Sequence, residues 1–284
     1  MTIDVMMPFY GDVDQFRQAV TSVLDQTDPD LRLVVVDDCF PDPTPAEWLL
    51  ALDDARVEYL RNETNLGVNG NFRRCVDLVV ADWFVVMGCD DLMHPDYLST
   101  VRTLARHHPG AAVIAPGVDV IDESGRPVAP LGDRIKSVLA PSRAAELSGE
   151  RLATSLYHGN WTYFPSLLWR TKAVREVGFR PGLEIVLDLA LLVDLASAGG
   201  SLVHDPEVVF SYRRHRASVS SVQAVDGRRF AEENQFFDDE ARRCEARGWP
   251  KAARAARWHA TSRLNHLQAR VGAGIGRLRG RPAH

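Results

Sequence analysis

The chain of 284 residues is poor in the features that announce many protein classes. No stretch approaches the ~18 consecutive apolar residues of a membrane-spanning helix. The N-terminus runs straight into a strand-like segment, without the basic and apolar regions of a signal peptide. The cysteines Cys39, Cys75, Cys89 and Cys244 stand far apart and form no Cys-x-x-Cys pair, which argues against a zinc knuckle or a disulfide framework and fits a reducing cytoplasm. In that setting the sequons at Asn62 and Asn160 are accidental. No Gly-x-Gly-x-x-Gly follows the first apolar segment and no Gly-x-x-x-x-Gly-Lys-Ser/Thr occurs anywhere, so any nucleotide is held without a glycine loop. Lysine is confined to Lys136, Lys172 and Lys251, and a net charge of -5 gives no sign of a nucleic-acid partner.

What is present is an apolar run, Trp83 to Met87, that stops at two adjacent carboxylates, Asp90 and Asp91. Such a run reads as a strand buried on both faces, and the carboxyl end of such a strand is where ligands of open α/β sheets bind. The plain alternative is that the pair caps the helix starting near Pro95. Three similar segments precede it. Ile3 to Phe9 leads into Tyr10-Gly11-Asp12 and a helix with Phe16, Ala19, Val20, Val23 and Leu24 on one face. Leu31 to Val36 ends in Asp37-Asp38. Val57 to Leu60 leads through Asn62 to Gly70 into a helix carrying Phe72, Cys75, Val76 and Val79. Four strands alternating with helices predict a doubly wound, mainly parallel sheet.

Beyond a helix at 96–108, Ala111 to Ile121 reads as a strand and Asp122 to Gly125 as a hairpin turn. Residues 127–150, rich in Pro, Gly and polar residues around a short helix, read as a mobile loop. The aromatic cluster Tyr157, Trp161, Tyr163, Phe164 and Trp169 serves either as core or as a ligand platform, with core favoured by its spacing. Ile185 to Ala198 is a strongly apolar helix containing Asp188 and Asp194, ended by Gly199-Gly200. Val208 to Tyr212 then leads to Arg213-Arg214-His215 and a Ser/Val stretch at Ser218 to Val222. From about Asp226 the chain is helical, Arg-rich and amphipathic. These last helices either pack on the domain or pair two subunits into a homodimer, with contact to a membrane surface the less favoured alternative.

In order, Pro8 and Tyr10, Gln26-Thr27, Asp37-Asp38 with Asp42, Asn65-Leu66-Gly67 and Asp90-Asp91 resemble glycosyltransferase family 2 of the GT-A fold. The apolar helix at Asp188 and the segment Tyr212 to His215 resemble that family's acceptor-side helix and Tyr-Arg-x-His segment. The resemblance covers about residues 3–222. It implies a Rossmann-like three-layer α/β/α domain over 1–222 with a mainly parallel mixed sheet, its nucleotide half at about 1–110 and its acceptor half at about 111–222. A C-terminal helical extension occupies 223–284. The implied activity is cytoplasmic, inverting and metal-assisted: transfer of a sugar from a nucleoside-diphosphate sugar (UDP, dTDP or GDP) to a hydroxyl of a glycan, lipid-linked or small-molecule acceptor. A non-catalytic sugar-nucleotide or glycan-binding protein on the same scaffold is the alternative. A sugar-phosphate nucleotidyltransferase would need a Gly-rich N-terminal signature that is absent.

The same resemblance distributes roles. Pro8, Phe9, Tyr10 and Asp38 receive base and ribose, in keeping with the capacity of a strand-end carboxylate to accept hydrogen bonds and of an aromatic to stack. Asn71 and Arg73 approach base or diphosphate, or are solvated helix positions. Trp161 is the candidate from the aromatic cluster for substrate contact. Asp91 is the main ligand of a Mn²⁺ or Mg²⁺ ion, Asp90 serves metal or ribose, and His215 completes the coordination or the diphosphate site, unless it is a structural histidine. Asp188 is the general base, or else a charge on the helix N-terminus, with Glu184 in reserve. Two departures stand out: Gly88 and Leu187 occupy positions where the family usually has acidic residues.

Overall fold

The computed structural model describes residues 1–215 and 228–258. Its first half alternates β1 (Ile3–Phe9), α1 (Val13–Leu24), β2 (Leu31–Asp37), α2 (Thr44–Leu50), β3 (Val57–Arg61), α3 (Gly67–Leu78) and β4 (Trp83–Val86). The four strands are parallel in the order β3-β2-β1-β4. The long apolar runs of β1, β2 and β4 have a simple cause, since each face of these strands is covered and successive side chains must satisfy opposite sides. Met6, Val34, Val36, Phe84 and Val86 enter one core with Cys75 and Val76 of α3. Val5, Met7, Leu33, Val35, Val85 and Met87 enter the other with Phe16, Val20 and Val23 of α1. Full burial of one such side chain contributes about 1.5–3 kcal/mol, so both layers are strongly specified. α1 begins where Asp12 Oδ1 accepts the N–H groups of Asp14 and Gln15 at 3.0 and 2.9 Å, a side-chain cap.

The second half comprises β5 (Leu92–Met93), α4 (Tyr97–His107), β6 (Ala111–Ile121), α5 (Leu131–Leu139), β7 (Ala145–Ser148), α6 (Gly149–His158), β8 (Leu168–Arg170), α7 (Thr171–Val177), α8 (Leu187–Ser197) and β9 (Ser201–Arg213). The sheet continues β4-β8-β6-β9-β5, with β7 on β9. Its long ladders are parallel, including β6 with β9, and its short ones are antiparallel. The hairpin turn forms as expected, with Gly125 at φ +80° donating to Asp122 O. Residues 127–150 depart from expectation. Beside the expected short helix, α5, they form the strand β7 instead of continuous loop; Pro130 precedes α5, Gly132 lies in its first turn, and Gly149 opens α6 with φ +50°.

Eight of the eleven residues of α8 are buried. A helix apolar on all sides needs neighbours on all sides, and α6, α9 (Arg228–Ala246) and α10 (Pro250–Trp258) provide them. Phe236, Phe237 and Ala241 of α9 and Ala252 and Ala256 of α10 share one core with α6 and α8. A charged network pins the same contact. Arg180 donates to Asp194 at 2.5 and 2.6 Å and to the buried Glu240 at 2.7 Å, while Arg243 reaches both carboxylates at 3.1 Å. The C-terminal helices therefore pack on the domain, the first of the two arrangements expected for them. The Ser218–Val222 stretch, the expected boundary at 222/223 and the chain beyond Trp258 lie outside the described residues. Among the described residues no helix is long and apolar enough to cross a membrane.

Candidate active site

The strand order sets the carboxyl ends of β2, β1 and β4 side by side, forming the crevice in which ligands of open α/β sheets bind. Tyr10, just past β1, is 55% exposed and meets the Phe40 ring edge-on at 5.5 Å, leaving an aromatic face open to a base. Pro8 beside it is half-buried. Phe9 corrects the expectation of a substrate contact. Its ring is buried 4.2 Å from Phe16, and only its carbonyl serves this end, accepting from Asp38 N.

Asp38 also differs from expectation, because its carboxylate is committed to the chain. Oδ1 accepts from Asn62 Nδ2 and Leu66 N, and Oδ2 from Gly67 N, all at 2.8–2.9 Å. Asn71 is likewise internal: buried, it donates to Val36 O at 2.9 Å and accepts from Asn62 at 3.0 Å. The two residues shape the loop leading into α3 instead of offering free groups to a ligand. Arg73 lies half-buried on α3.

At the end of β4 the chain turns over Gly88 to Asp91. Asp91 is buried, and its Oδ1 accepts the N–H of Arg213 at 2.8 Å. Asp90 Oδ2 pairs with His215 Nε2 at 2.6 Å. The other oxygens, Asp90 Oδ1 and Asp91 Oδ2, converge above Gly88, where a Cβ would meet them at 2.8 and 2.6 Å. A Cβ at 88 would therefore push these two carboxylate ends aside. Burial, then the neighbouring Asp90, holds the Asp91 carboxyl well above the usual carboxylate range. The hydrogen bond to Asp90 raises His215. Two converging carboxylate oxygens fit a divalent cation, since Mg²⁺-type ions commonly take one or two carboxylates and fill the rest of their shell with phosphate oxygens and water. Among the described residues no set of three His, Cys, Asp or Glu side chains is grouped to hold a metal alone. His215, expected to complete the coordination or the diphosphate site, lies against this pair as the hydrogen-bonding partner of Asp90.

Arg213 holds this corner together. Its side chain is buried, with Nε on Asp90 O at 2.6 Å, Nη1 on Asp122 O and Glu123 O, and Nη2 on Gln18 Oε1 at 3.0 Å. The sequence placed Arg213 in the Tyr-Arg-x-His segment without assigning it this role. The signal was an arginine directly after an apolar strand, where a buried cation needs several acceptors.

Asp188 sits in the first turn of α8. Its Oδ2 accepts from Asn160 Nδ2 at 2.9 Å and its Oδ1 from Leu189 N at 2.7 Å. Burial raises its carboxyl, opposed by those hydrogen bonds and by the charge of Lys136. Lys136 donates to Thr162 O at 2.7 Å and lies 4.2 Å from the Tyr163 ring centre, while burial pushes its ammonium down to about 8. A belt of interacting groups joins the two halves. Tyr212, pushed up to about 12 chiefly by burial, feels Arg214, Asp91, Asp90 and Asp133, and Lys136 feels Asp188, Arg214 and Asp133. Arg214 forks onto Asp133 at 2.6 and 3.0 Å. Sequence reasoning missed Lys136 and Asn160, the first because 127–150 read as a loop and the second because it belonged to a sequon without meaning. Glu184 is exposed just ahead of α8.

Trp161 is a further correction. It is 3% exposed, donates to Ser155 Oγ at 3.1 Å and meets His204 edge-on, so the indole is satisfied inside the core. Asp194, left without a chemical role, is the structural partner of Arg180. Burial pushes the Cys89 thiol up to about 12, leaving no thiolate for chemistry near neutral pH.

The family model described as glycosyl transferase family 2 matches residues 4–170. Among curated proteins, the chain is 28% identical over 222 residues to the succinoglycan biosynthesis protein ExoO of Rhizobium meliloti, an alignment covering 76% of this chain and 62% of ExoO. It is 26% identical over 191 residues to an uncharacterized glycosyltransferase of Rickettsia felis, covering 66% of this chain and 30% of that one. The chain thus spans less than two thirds of the length of these relatives. Among solved structures, S. aureus TarS in complex with UDP-GlcNAc superposes with a TM-score of 0.62 at 16% identity, over 82% of this chain and 70% of that one. TarS in complex with UDP gives 0.62 at 14% identity, over 97% and 92%. At such identities the likeness is one of fold, and it agrees with the mixed, mostly parallel α/β architecture described above.

Proposed function

The chain belongs to glycosyltransferase family 2, and on that premise we propose that it moves a sugar from a nucleoside-diphosphate donor to an acceptor hydroxyl, inverting the anomeric carbon. The observation that carries this reading is the convergence of Asp90 Oδ1 and Asp91 Oδ2 over Gly88 at the sheet's ligand-binding end. Tyr10 receives the base on its open face. UDP is the first donor nucleotide to test among UDP, dTDP and GDP, because the TarS structures carry UDP and UDP-GlcNAc. The name of ExoO favours a growing polysaccharide as acceptor.

Asp90 and Asp91 are the residues that would hold Mn²⁺ or Mg²⁺, which when bound supplies positive charge against the departing diphosphate. His215 and Arg213 keep the two carboxylates aimed. Asp188 takes the proton of the acceptor hydroxyl as that oxygen bonds to the anomeric carbon, the bond from that carbon to the diphosphate oxygen breaks, and the nucleoside diphosphate leaves with the bonding pair. The raised carboxyl of Asp188 suits this task, since a base works best with a pKa near the working pH. Asn160 orients the carboxylate from one side and Leu189 N–H from the other.

The experiment is UDP release from UDP-GlcNAc in the presence of Mn²⁺ and candidate glycan acceptors. Asp188→Asn and Asp91→Ala are each expected to lower turnover by ~10²-fold or more. Turnover that survives both substitutions would overturn the assignment of the site.

A further inference from the structure

α8 begins without a cap of its own. The residues before it, Gly182-Leu183-Glu184-Ile185-Val186, place Val186 at the capping position, where it makes no side-chain hydrogen bond. The first N–H groups of a helix have no partner within it, and Ser, Thr, Asp or Asn usually supplies one. Here the segment that enters the helix is held from the C-terminal helix instead. Glu232 Oε1 accepts from Glu184 N at 3.0 Å, Ile185 N at 2.7 Å and Val186 N at 3.2 Å. A carboxylate at this end also matches the positive pole of the helix. On its other side the segment is held by the nucleotide half, with Asn69 Nδ2 of α3 donating to Glu184 O at 3.1 Å. Asp188 lies two residues beyond Val186. α9 is itself fixed by the network of Glu240, Arg180, Asp194 and Arg243 and by Phe236 and Phe237 in the core, so Glu232 is presented from a rigid support.

We propose that Glu232 is a positioning residue for Asp188: from a helix outside residues 4–170, the region that matches the family model, it grips the N–H groups of residues 184–186 that lead into α8, and so sets where the base meets the acceptor hydroxyl. Glu232 acts through α8. The inference rests on the reading of Asp188 as general base.

Three variants of the full chain test it: Glu232→Ala, Glu232→Gln and Asp188→Asn, assayed with UDP-GlcNAc, Mn²⁺ and the acceptor that supports wild-type turnover. Because a misplacement of ~1 Å can cost ~10²-fold in rate, Glu232→Ala is expected to lower kcat by about 10- to 100-fold with the donor KM nearly unchanged. Glu232→Gln, which keeps an oxygen at the cap, recovers most of the loss. Hydrogen–deuterium exchange of amides 184–189 rises in Glu232→Ala and returns in Glu232→Gln, while the Gly88 to Asp91 corner exchanges as in the wild type. That measurement needs no substrate and stands even if UDP-GlcNAc is the wrong donor. Should Glu232→Ala fail to fold, Glu232→Asp, one methylene too short to span the cap, takes its place. Wild-type kcat, a parallel loss of donor affinity, unchanged exchange at 184–189, or no recovery with Gln would each overturn the proposal. An active Asp188→Asn would overturn the base assignment instead, and with an inactive Asp188→Asn a fully active Glu232→Ala would count against Glu232 alone.

Discussion

Asp188→Asn is expected to make the protein more stable at neutral pH while removing its turnover. Burial holds the Asp188 carboxyl above the ordinary carboxylate range despite the opposing pull of Leu189 N–H, Lys136 and Asn160. The folded chain therefore binds this proton more tightly than the unfolded chain, whose aspartate titrates near ~3.9. Below that value both states hold the proton and the group costs nothing. As pH rises the unfolded chain releases it first, and the folded state loses stability until its own carboxyl has ionised. Asparagine keeps the size and an accepting oxygen, and it escapes that cost. What it forfeits is a negative charge in the first turn of α8, about 0.3–1 kcal/mol. Against that stands the cost of ionising a carboxyl held above its ordinary range by burial. The expected net effect is a rise in Tm of a few degrees, since ~1 kcal/mol moves Tm by roughly 2–4 °C in a chain of this size. Thermal denaturation from about pH 4 to about pH 8 reads it without any substrate, and the advantage should vanish toward the acid end. A variant no more stable than wild type at the alkaline end, or one whose advantage grows as pH falls, would refute the account of Asp188 as a desolvated base.

Two other substitutions probe the groups around the site. Arg213→Ala takes a buried donor away from Asp90 O, Asp122 O, Glu123 O and Gln18 and should cost at least ~1–3 kcal/mol in urea denaturation, as when buried acceptors lose their donor; a loss below ~1 kcal/mol would mean that the corner stands without it. Lys136→Met removes a charge that favours ionised Asp188, so the acid limb of the pH–kcat profile should move to higher pH; an unmoved limb would separate Lys136 from the base.

Much of the first half of the fold was legible in the sequence because its signals are local. Buried parallel strands read as uninterrupted apolar runs, and the doublets Asp37-Asp38 and Asp90-Asp91 mark the strand ends. What the doublets do was less legible. Asp38 looks like a ligand residue from its position, and only the path of the loop from Asn62 to Gly67 shows that backbone N–H groups occupy its oxygens. Trp161 could not be assigned from spacing, since its burial depends on where Ser155 and His204 arrive. Gly88 reads as a departure from an acidic motif, and only the structure shows that it leaves the space into which the carboxylates of Asp90 and Asp91 reach. The grip of Glu232 on residues 184–186 joins positions almost fifty residues apart, and no local pattern encodes it. Arg213, Lys136 and Asn160 act through similarly long-range partners.

The most direct test of the central claim is calorimetric titration of the full chain with UDP, with and without Mn²⁺, in the wild type and in Asp91→Ala. UDP should bind the wild type at least ~10-fold more tightly with Mn²⁺, a coupling of ~1.4 kcal/mol, and Asp91→Ala should abolish that gain. Equal UDP affinity with and without the ion, or a gain that survives in Asp91→Ala, would contradict a diphosphate site built on Asp90 and Asp91.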